Sequence, residues 1–267
     1  MDISIIIINY NTFELTCNCL KSIYDKTKEI IFEIILVDNA SAECDPILFT
    51  NIFPEITLIQ SEKNLGFSKG NNLGIEKAKG DYILLLNSDT LLKNNALKYG
   101  LDFLQKHTNT AVVSSSLEYE GGKIQHTCQR FPSIKYSLAE LFRVQKILGK
   151  KKGGELLLGS FFSHEEIVFP DWVWGTFFMF KTDLLTQLPT QKLTETFFMY
   201  GEDMQWCMEF RQLGYKIGFE PKAKIIHLMG KSGAPKKQMM IDNHQTFMNM
   251  YYTPFSQKCI SFLHKLL

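Results

Sequence analysis

Asn87, Ser88 and Asp89 follow directly on Ile83–Leu86, an apolar run that reads as a buried strand. An Asn/Asp-x-Asp pair at a strand end offers the hard oxygen ligands that Mg2+ and Mn2+ prefer. A cation held there and bridged to a diphosphate neutralises charge building on a leaving group. The plainer reading is that Ser88 or Asp89 caps a following helix. A second acidic pair, Glu202 and Asp203, follows the stretch FFMYG. Aromatic surroundings there would desolvate a carboxylate and raise its pKa toward that of a general base. Its plain alternative is two acids in the first turn of a helix, where the dipole favours them. Being adjacent, the two cannot share one helix face.

The elements that must position these groups alternate through the first 115 residues. Short runs rich in Ile, Leu and Val at 3–8, 31–37, 56–60, 82–86 and 111–115 predict strands, and 13–25, 68–79 and 94–107 predict helices. This βαβ rhythm predicts an α/β fold with a mainly parallel sheet covered on both faces. Ligands of such sheets sit at the carboxyl ends of the strands. Those ends read Asn9-Tyr10-Asn11, then Asp38-Asn39-Ala40-Ser41, then Asn64-Leu65-Gly66-Phe67, then Asn87-Ser88-Asp89. One polar cluster is usually a turn; four on one edge point to a ligand.

The second half is less regular. A hairpin is expected at Gly121-Gly122, and a mobile surface loop over 146–160, where three lysines mix with glycines. A strand through FFMF, a helix through EDMQWCMEFRQLG and strands near 216–220 and 224–227 follow. In the tail, Phe255, Cys259, Phe262, Leu263 and Leu266 recur at helical spacing between Lys258, His264 and Lys265. A helix packed on the domain is the plainer reading and peripheral membrane contact the sharper one. Trp172, Trp174 and Tyr200 suit either core packing or stacking on sugar faces.

Bulk properties exclude several classes. The 29 Lys and Arg balance 28 Asp and Glu, so no global charge points to nucleic acid. The six cysteines form neither a CxxC pair nor a zinc spacing, which fits a reduced intracellular setting. No apolar run reaches the roughly 18 residues that span a bilayer, and the first residues read as a strand rather than a signal peptide. A soluble, cytoplasmic protein, or at most a peripheral one, is expected. Gly66, Gly70 and Gly74, spaced by four, do not make the dinucleotide fingerprint, and GKS at 230–232 lacks the first glycine of a phosphate loop.

IIIINYN, ILVDNAS, NLGFSKGNNLGI, LLLNSDT, WVWGTFFMFK and FFMYGEDMQWC occur in the order found in family 2 glycosyltransferases, and the chain most resembles their rhamnosyltransferase-like branch. The likeness runs from Ile3 to about Gly230. It implies a GT-A fold: a nucleotide-sugar half (1–115) and an acceptor half (116–233), followed here by a helical tail (234–267). It implies inverting transfer of a hexose or deoxyhexose from a UDP- or dTDP-sugar to a surface glycan or lipid-linked acceptor, at the inner face of the cell membrane. By that likeness Asp38 binds the base or ribose beside Asn9, Tyr10, Asn11 and Asn39, and Asn64 and Lys69 lie near the phosphates. Asn87, Ser88 and Asp89 match the DxD motif, whose Mg2+ or Mn2+ would be held by Asp89 and His227. Asn87, neutral where the motif is acidic, is a weaker ligand. Asp203 matches the general base, and Trp174, Gly175, Thr176 and Glu202 would meet the acceptor. A nucleotidyltransferase making sugar nucleotides is the alternative within enzymes, although its glycine-rich N-terminal loop is missing. A non-catalytic sugar- or nucleotide-binding relative is the alternative outside them.

Overall fold

The computed structural model describes residues 1–228 and 237–267. The expected boundary at 233 and the GKS triplet lie outside the described residues. In chain order the first half runs β1 (Ile3–Asn9), α1 (Phe13–Lys26), β2 (Phe32–Asp38), α2 (Ile47–Ile52), β3 (Thr57–Gln60), α3 (Gly66–Ile75), β4 (Tyr82–Asn87), β5 (Thr90–Leu92), α4 (Ala96–Lys106) and β6 (Thr110–Glu118). The second half begins with β7 (Ile124–Gln125), β8 (Cys128–Gln129), α5 (Ile134–Leu141), α6 (Val144–Ile147) and α7 (Lys150–Leu157). It continues with β9 (Trp172–Val173), β10 (Phe177–Lys181), α8 (Glu202–Gln212), β11 (Lys216–His227), α9 (Lys237–Tyr251) and α10 (Pro254–His264).

The main sheet has the order β3-β2-β1-β4-β10-β6-β11-β5, with β7 paired to β6. Strands β3, β2, β1 and β4 are parallel, and β10 enters antiparallel between β4 and β6. The isoleucine run of β1 reflects burial on both faces. Ile3, Ile5 and Ile7 join Leu84, Leu86 and α1's Leu20 and Ile23 in one core, whereas Ile6 joins Ile83, Leu85 and α8's Trp206 and Phe210 in the other. Each such side chain stabilises the fold by roughly 1.5–3 kcal/mol. Helix α3 lies close on the sheet because Gly70 and Gly74 face it. A Cβ at Gly74 would stand 2.5 Å from Ile6 Cγ2, and one at Gly70 2.9 Å from Ile8 Cδ1. Close packing, rather than phosphate binding, accounts for that glycine spacing.

Two expectations are corrected. The stretch 146–160 is not a loop: the end of α6 and all of α7 fold there. Gly153 and Gly154 are buried, and a Cβ on either would fall within 2.6 Å of the Gln145 or Phe161 carbonyl oxygen, so these glycines permit packing rather than flexibility. The segment after Asp89 is not a helix but β5, antiparallel to β11, and α4 begins only at Ala96. Ser88 and Asp89 therefore do not stand at the start of α4.

The tail packs on the domain. Phe247 of α9 is fully buried in the second core beside Phe131 and Tyr251, and α10 lies on α5 through Ile260 and Leu263. Helix α9 also grips the turn that launches α8. Tyr200 (φ +69°) and Gly201 (φ +105°) sit in the left-handed region, a strained conformation for tyrosine. Asn243 Nδ2 donates to the Met199 and Tyr200 carbonyls at 2.8 and 2.7 Å. Replacing Asn243 with Ala strips both carbonyls of that donor. We expect a loss of about 1–3 kcal/mol in unfolding free energy, with faster amide hydrogen exchange over 199–205. Unchanged exchange there would show that the turn holds itself.

Candidate active site

The four strand tips are joined by side-chain hydrogen bonds. Asn9 Nδ2 donates to Asp38 Oδ1 (2.8 Å) and Ser41 Oγ (3.0 Å), and its Oδ1 accepts from the Thr12 and Thr16 hydroxyls. Asp38, 2% exposed, accepts at its other oxygen from the Ser41 amide. Asn39 Nδ2 donates to Asn64 Oδ1 (3.0 Å), and Asn39 Oδ1 accepts from the Leu65 amide, which ties the second tip to the third. Thr12 and Ser88 hydroxyls lie 3.2 Å apart and reach the fourth. Asn11 and Ala40 take positive φ, and the Asn11 side chain accepts from the Ala42 amide. Tyr10 is 43% exposed beside this web. Lys69 is exposed on α3, where its charge acts on Glu195. Thr12 and Thr16 were not singled out in the sequence, because their role appears only once the tips are adjacent.

Asp89 and His227 are both buried, with His227 Nε2 3.5 Å from Asp89 Oδ1. Strands β5 and β11 bring them together through the pairing of Thr90 with His227. Gln125 fixes the imidazole: its Oε1 lies 2.7 Å from His227 Nδ1 while its Nε2 donates to the His227 carbonyl at 2.8 Å. An amide oxygen accepts there, so Nδ1 is the donor of that contact and Nε2 is the ring atom turned toward Asp89. Asn87 Oδ1 is buried with no hydrogen-bond partner. A carboxylate, an imidazole with a supporting amide behind it and an orphaned amide oxygen fit a small divalent ion, with further ligands left to a diphosphate. Among the described residues no cluster of three or more His, Cys, Asp or Glu forms a ready cage. Gln125 was invisible in the sequence; its partner lies 102 residues away.

The acidic pair opens α8. Asp203 Oδ2 accepts from the Gly175 amide at 2.9 Å and Oδ1 from the Met204 amide at 2.8 Å. Burial pushes the Asp203 carboxyl up to about 6, against the pull of those two amides. Glu202 is more deeply buried, and its Oε2 has no hydrogen-bond partner. Burial first, and the charge of Asp203 second, raise it to about 8. Burial of both and their mutual repulsion therefore disfavour full ionisation of the pair near neutrality.

Residues 174–176 join the two halves of the site. Gly175 binds Asp203, and the Thr176 carbonyl accepts from the Asn87 amide at 3.1 Å. Trp174 is half-buried, its amide held by Thr127 Oγ1. The Trp172 indole N–H donates to the Arg130 carbonyl, as a packed core residue does. A cleft of about 450 Å³ is lined by His126, Gln129, Tyr136, Ser137, Phe161 and His264, among others, and includes none of residues 174–176.

The family model described as Glycosyl transferase family 2 matches residues 4–164, more than half of the chain. A low-salt glycan biosynthesis hexosyltransferase of Haloferax volcanii, Agl10, is 27% identical over 236 residues, which cover 85% of this chain and 67% of that protein. An uncharacterized glycosyltransferase of Haemophilus influenzae is 29% identical over 159 residues, covering 57% and 62%. Among solved structures, GalNAc-T7 with UDP, GalNAc and Mn2+ is similar at a TM-score of 0.67 and 16% identity, covering 93% of this chain and 48% of that one. The Pyrobaculum calidifontis mannosyltransferase PcManGT with GDP-Man and Mn2+ gives 0.63 and 16%, covering 98% and 70%. The chain thus spans 62% of the Haemophilus protein and 48% of the GalNAc-T7 chain. The fold is GT-A. The chain belongs to glycosyl transferase family 2.

Proposed function

We propose that the protein transfers a hexosyl or deoxyhexosyl group, with inversion, from a UDP- or dTDP-sugar to a hydroxyl of a glycan or lipid-linked acceptor. The observation that carries this reading is the segment 174–176. It ties a buried carboxylate with a raised pKa to the strand end that bears Asn87 and Asp89. The Mn2+ in the two solved structures supports a divalent ion at the Asp89–His227 pair. When bound, such an ion offsets the charge that develops on the departing diphosphate.

The chain's own residues supply the rest. The Asp203 carboxylate takes the proton of the acceptor hydroxyl as its oxygen bonds to the anomeric carbon and the bond to the diphosphate breaks. The Gly175 and Met204 amides hold that carboxylate in one orientation. Glu202, kept protonated by burial and by its neighbour, leaves the negative charge on Asp203. Asp38, Asn39 and Asn64, rigid in their hydrogen-bonded web, form the floor against which the nucleoside lies. Trp174, Gly175 and Thr176, next to Asp203, meet the acceptor. Among donors, the resemblance to the rhamnosyltransferase-like branch favours dTDP-rhamnose.

A panel of UDP-, dTDP- and GDP-sugars, assayed for binding and hydrolysis with and without Mn2+, tests the reading. We expect one donor to bind in a metal-dependent way and to be hydrolysed slowly. Asp89→Ala should abolish the metal dependence and weaken donor binding. Binding that ignores both metal and Asp89 would sink the assignment. Asp203→Asn should leave donor binding intact while turnover falls roughly 10²–10⁴-fold.

Because Asp203 must be ionised to act, kcat/KM should fall as pH drops through about 6; a limb near the ordinary aspartate value would remove Asp203 as base. Glu202 gives a test free of substrate. Its pKa in the folded protein lies above its ordinary 4.5, so its contribution to stability is full below that value and is lost as pH rises through about 8. Glu202→Gln should therefore melt higher than the parent at about pH 9 and lose that advantage by about pH 5.

A further inference from the structure

Helices α5, α6, α7 and α10 pack on one another and carry an apolar surface that the core does not use. Phe142 is 69% exposed, Ile147 81%, Phe255 73% and Phe262 63%. On α10 these side chains are ordered. At about 100° per residue, Phe255, Cys259 and Phe262 fall within a stripe roughly 60° wide, and Leu266 in the next turn extends it. Ile260 and Leu263, the buried face toward α5, lie on one side of the stripe. Lys258 and Lys265 lie on the other side and are exposed. On α5, Lys135, Leu138 and Phe142 line up in the same manner at three- and four-residue spacing, all exposed.

The charge around this surface is mostly basic, with Glu140, Glu155 and Glu166 the acids beside it. Residues 134–152 hold Lys135, Arg143, Lys146, Lys150, Lys151 and Lys152 against the single acid Glu140, and 254–267 hold two lysines and no acid. The whole chain has a formal charge of +1, so everything outside these two segments is net acidic. Among the described residues, Lys151 of this set forms an ion pair, at 2.5 Å to Glu166, with both partners exposed; such a pair contributes little. Aromatic and aliphatic side chains beside lysines that can snorkel are the chemistry of a helix lying in the headgroup layer. No helix among the described residues is long and apolar enough to cross a membrane.

We infer that the face formed by α5, α6, the start of α7 and α10 docks on an anionic lipid surface, with Phe142, Ile147, Phe255 and Phe262 entering the interface and the lysines meeting the headgroups. This does not depend on the transferase reading, and its test uses no substrate. The full chain is sedimented with phosphatidylcholine vesicles that contain phosphatidylglycerol, with vesicles of phosphatidylcholine alone, and at raised salt. Binding should require phosphatidylglycerol and weaken with salt. Phe142→Ser with Phe262→Ser should lower partitioning at least about tenfold, and Lys150→Ala, Lys151→Ala and Lys152→Ala together roughly fivefold per charge removed. Ile31→Ser, a control at a residue 67% exposed just before β2, should change nothing. Thermal melts establish that each variant is folded. No binding to anionic vesicles, equal binding to neutral ones, or binding indifferent to both sets of substitutions overturns the inference. So does a dimer in solution that the phenylalanine substitutions dissociate without any vesicle binding, which would make this face a contact between two copies of the chain.

Discussion

Burial of β1 on both faces is the constraint from which the rest of the molecule follows. A parallel strand with isoleucine on either side has no polar face, so polar side chains can stand only at its ends. Because β1 to β4 run the same way, their carboxyl ends open on one edge, and oxygen- and nitrogen-bearing side chains collect there. The web of Asn9, Asp38, Ser41, Asn39 and Asn64 satisfies most of those groups against one another. What results is a rigid, donor-rich floor set by the core rather than by any ligand. Such preorganised dipoles need little rearrangement when charge arrives.

The site holds two carboxylates in opposite settings, and the difference is electrostatic. Asp89 faces an imidazole whose far nitrogen is anchored by Gln125, a surrounding that welcomes a cation. Asp203 sits against an unpartnered, buried Glu202, a surrounding that resists negative charge. One group is suited to hold charge and the other to give it up to a proton. Gly175 and Thr176 bind the two ends, so a shift of this ribbon moves Asp203 and the strand tip together.

The sequence made the parallel sheet and its polar edge legible, because two-sided apolar runs and turn residues are local signals. Its failures have physical causes. Glycine and lysine composition marked 146–160 as a loop, yet close contacts at Gly153 and Gly154 select helix there; tertiary packing overrode local propensity. Ser88 and Asp89 looked able to cap a helix until Thr90–Leu92 paired with β11, a partner more than 130 residues away. Gln125 and Asn243 position His227 and the α8 turn across 102 and 43 or 44 residues, and no spacing rule sees so far. Nor was the short helix α2 visible, since its six residues carry no full period.

The helices missed in the sequence and those foreseen in the tail meet in one place. Tyr136 and Ser137 of α5 and His264 of α10 form part of the wall of one cleft, while the same helices carry the exposed phenylalanines. Only Ile260 and Leu263 of α10 are buried, which anchors the helix but leaves its second apolar stripe without a partner in the fold. A stripe of that kind is costly in water, and flanking lysines lower the cost only where an anionic surface receives them.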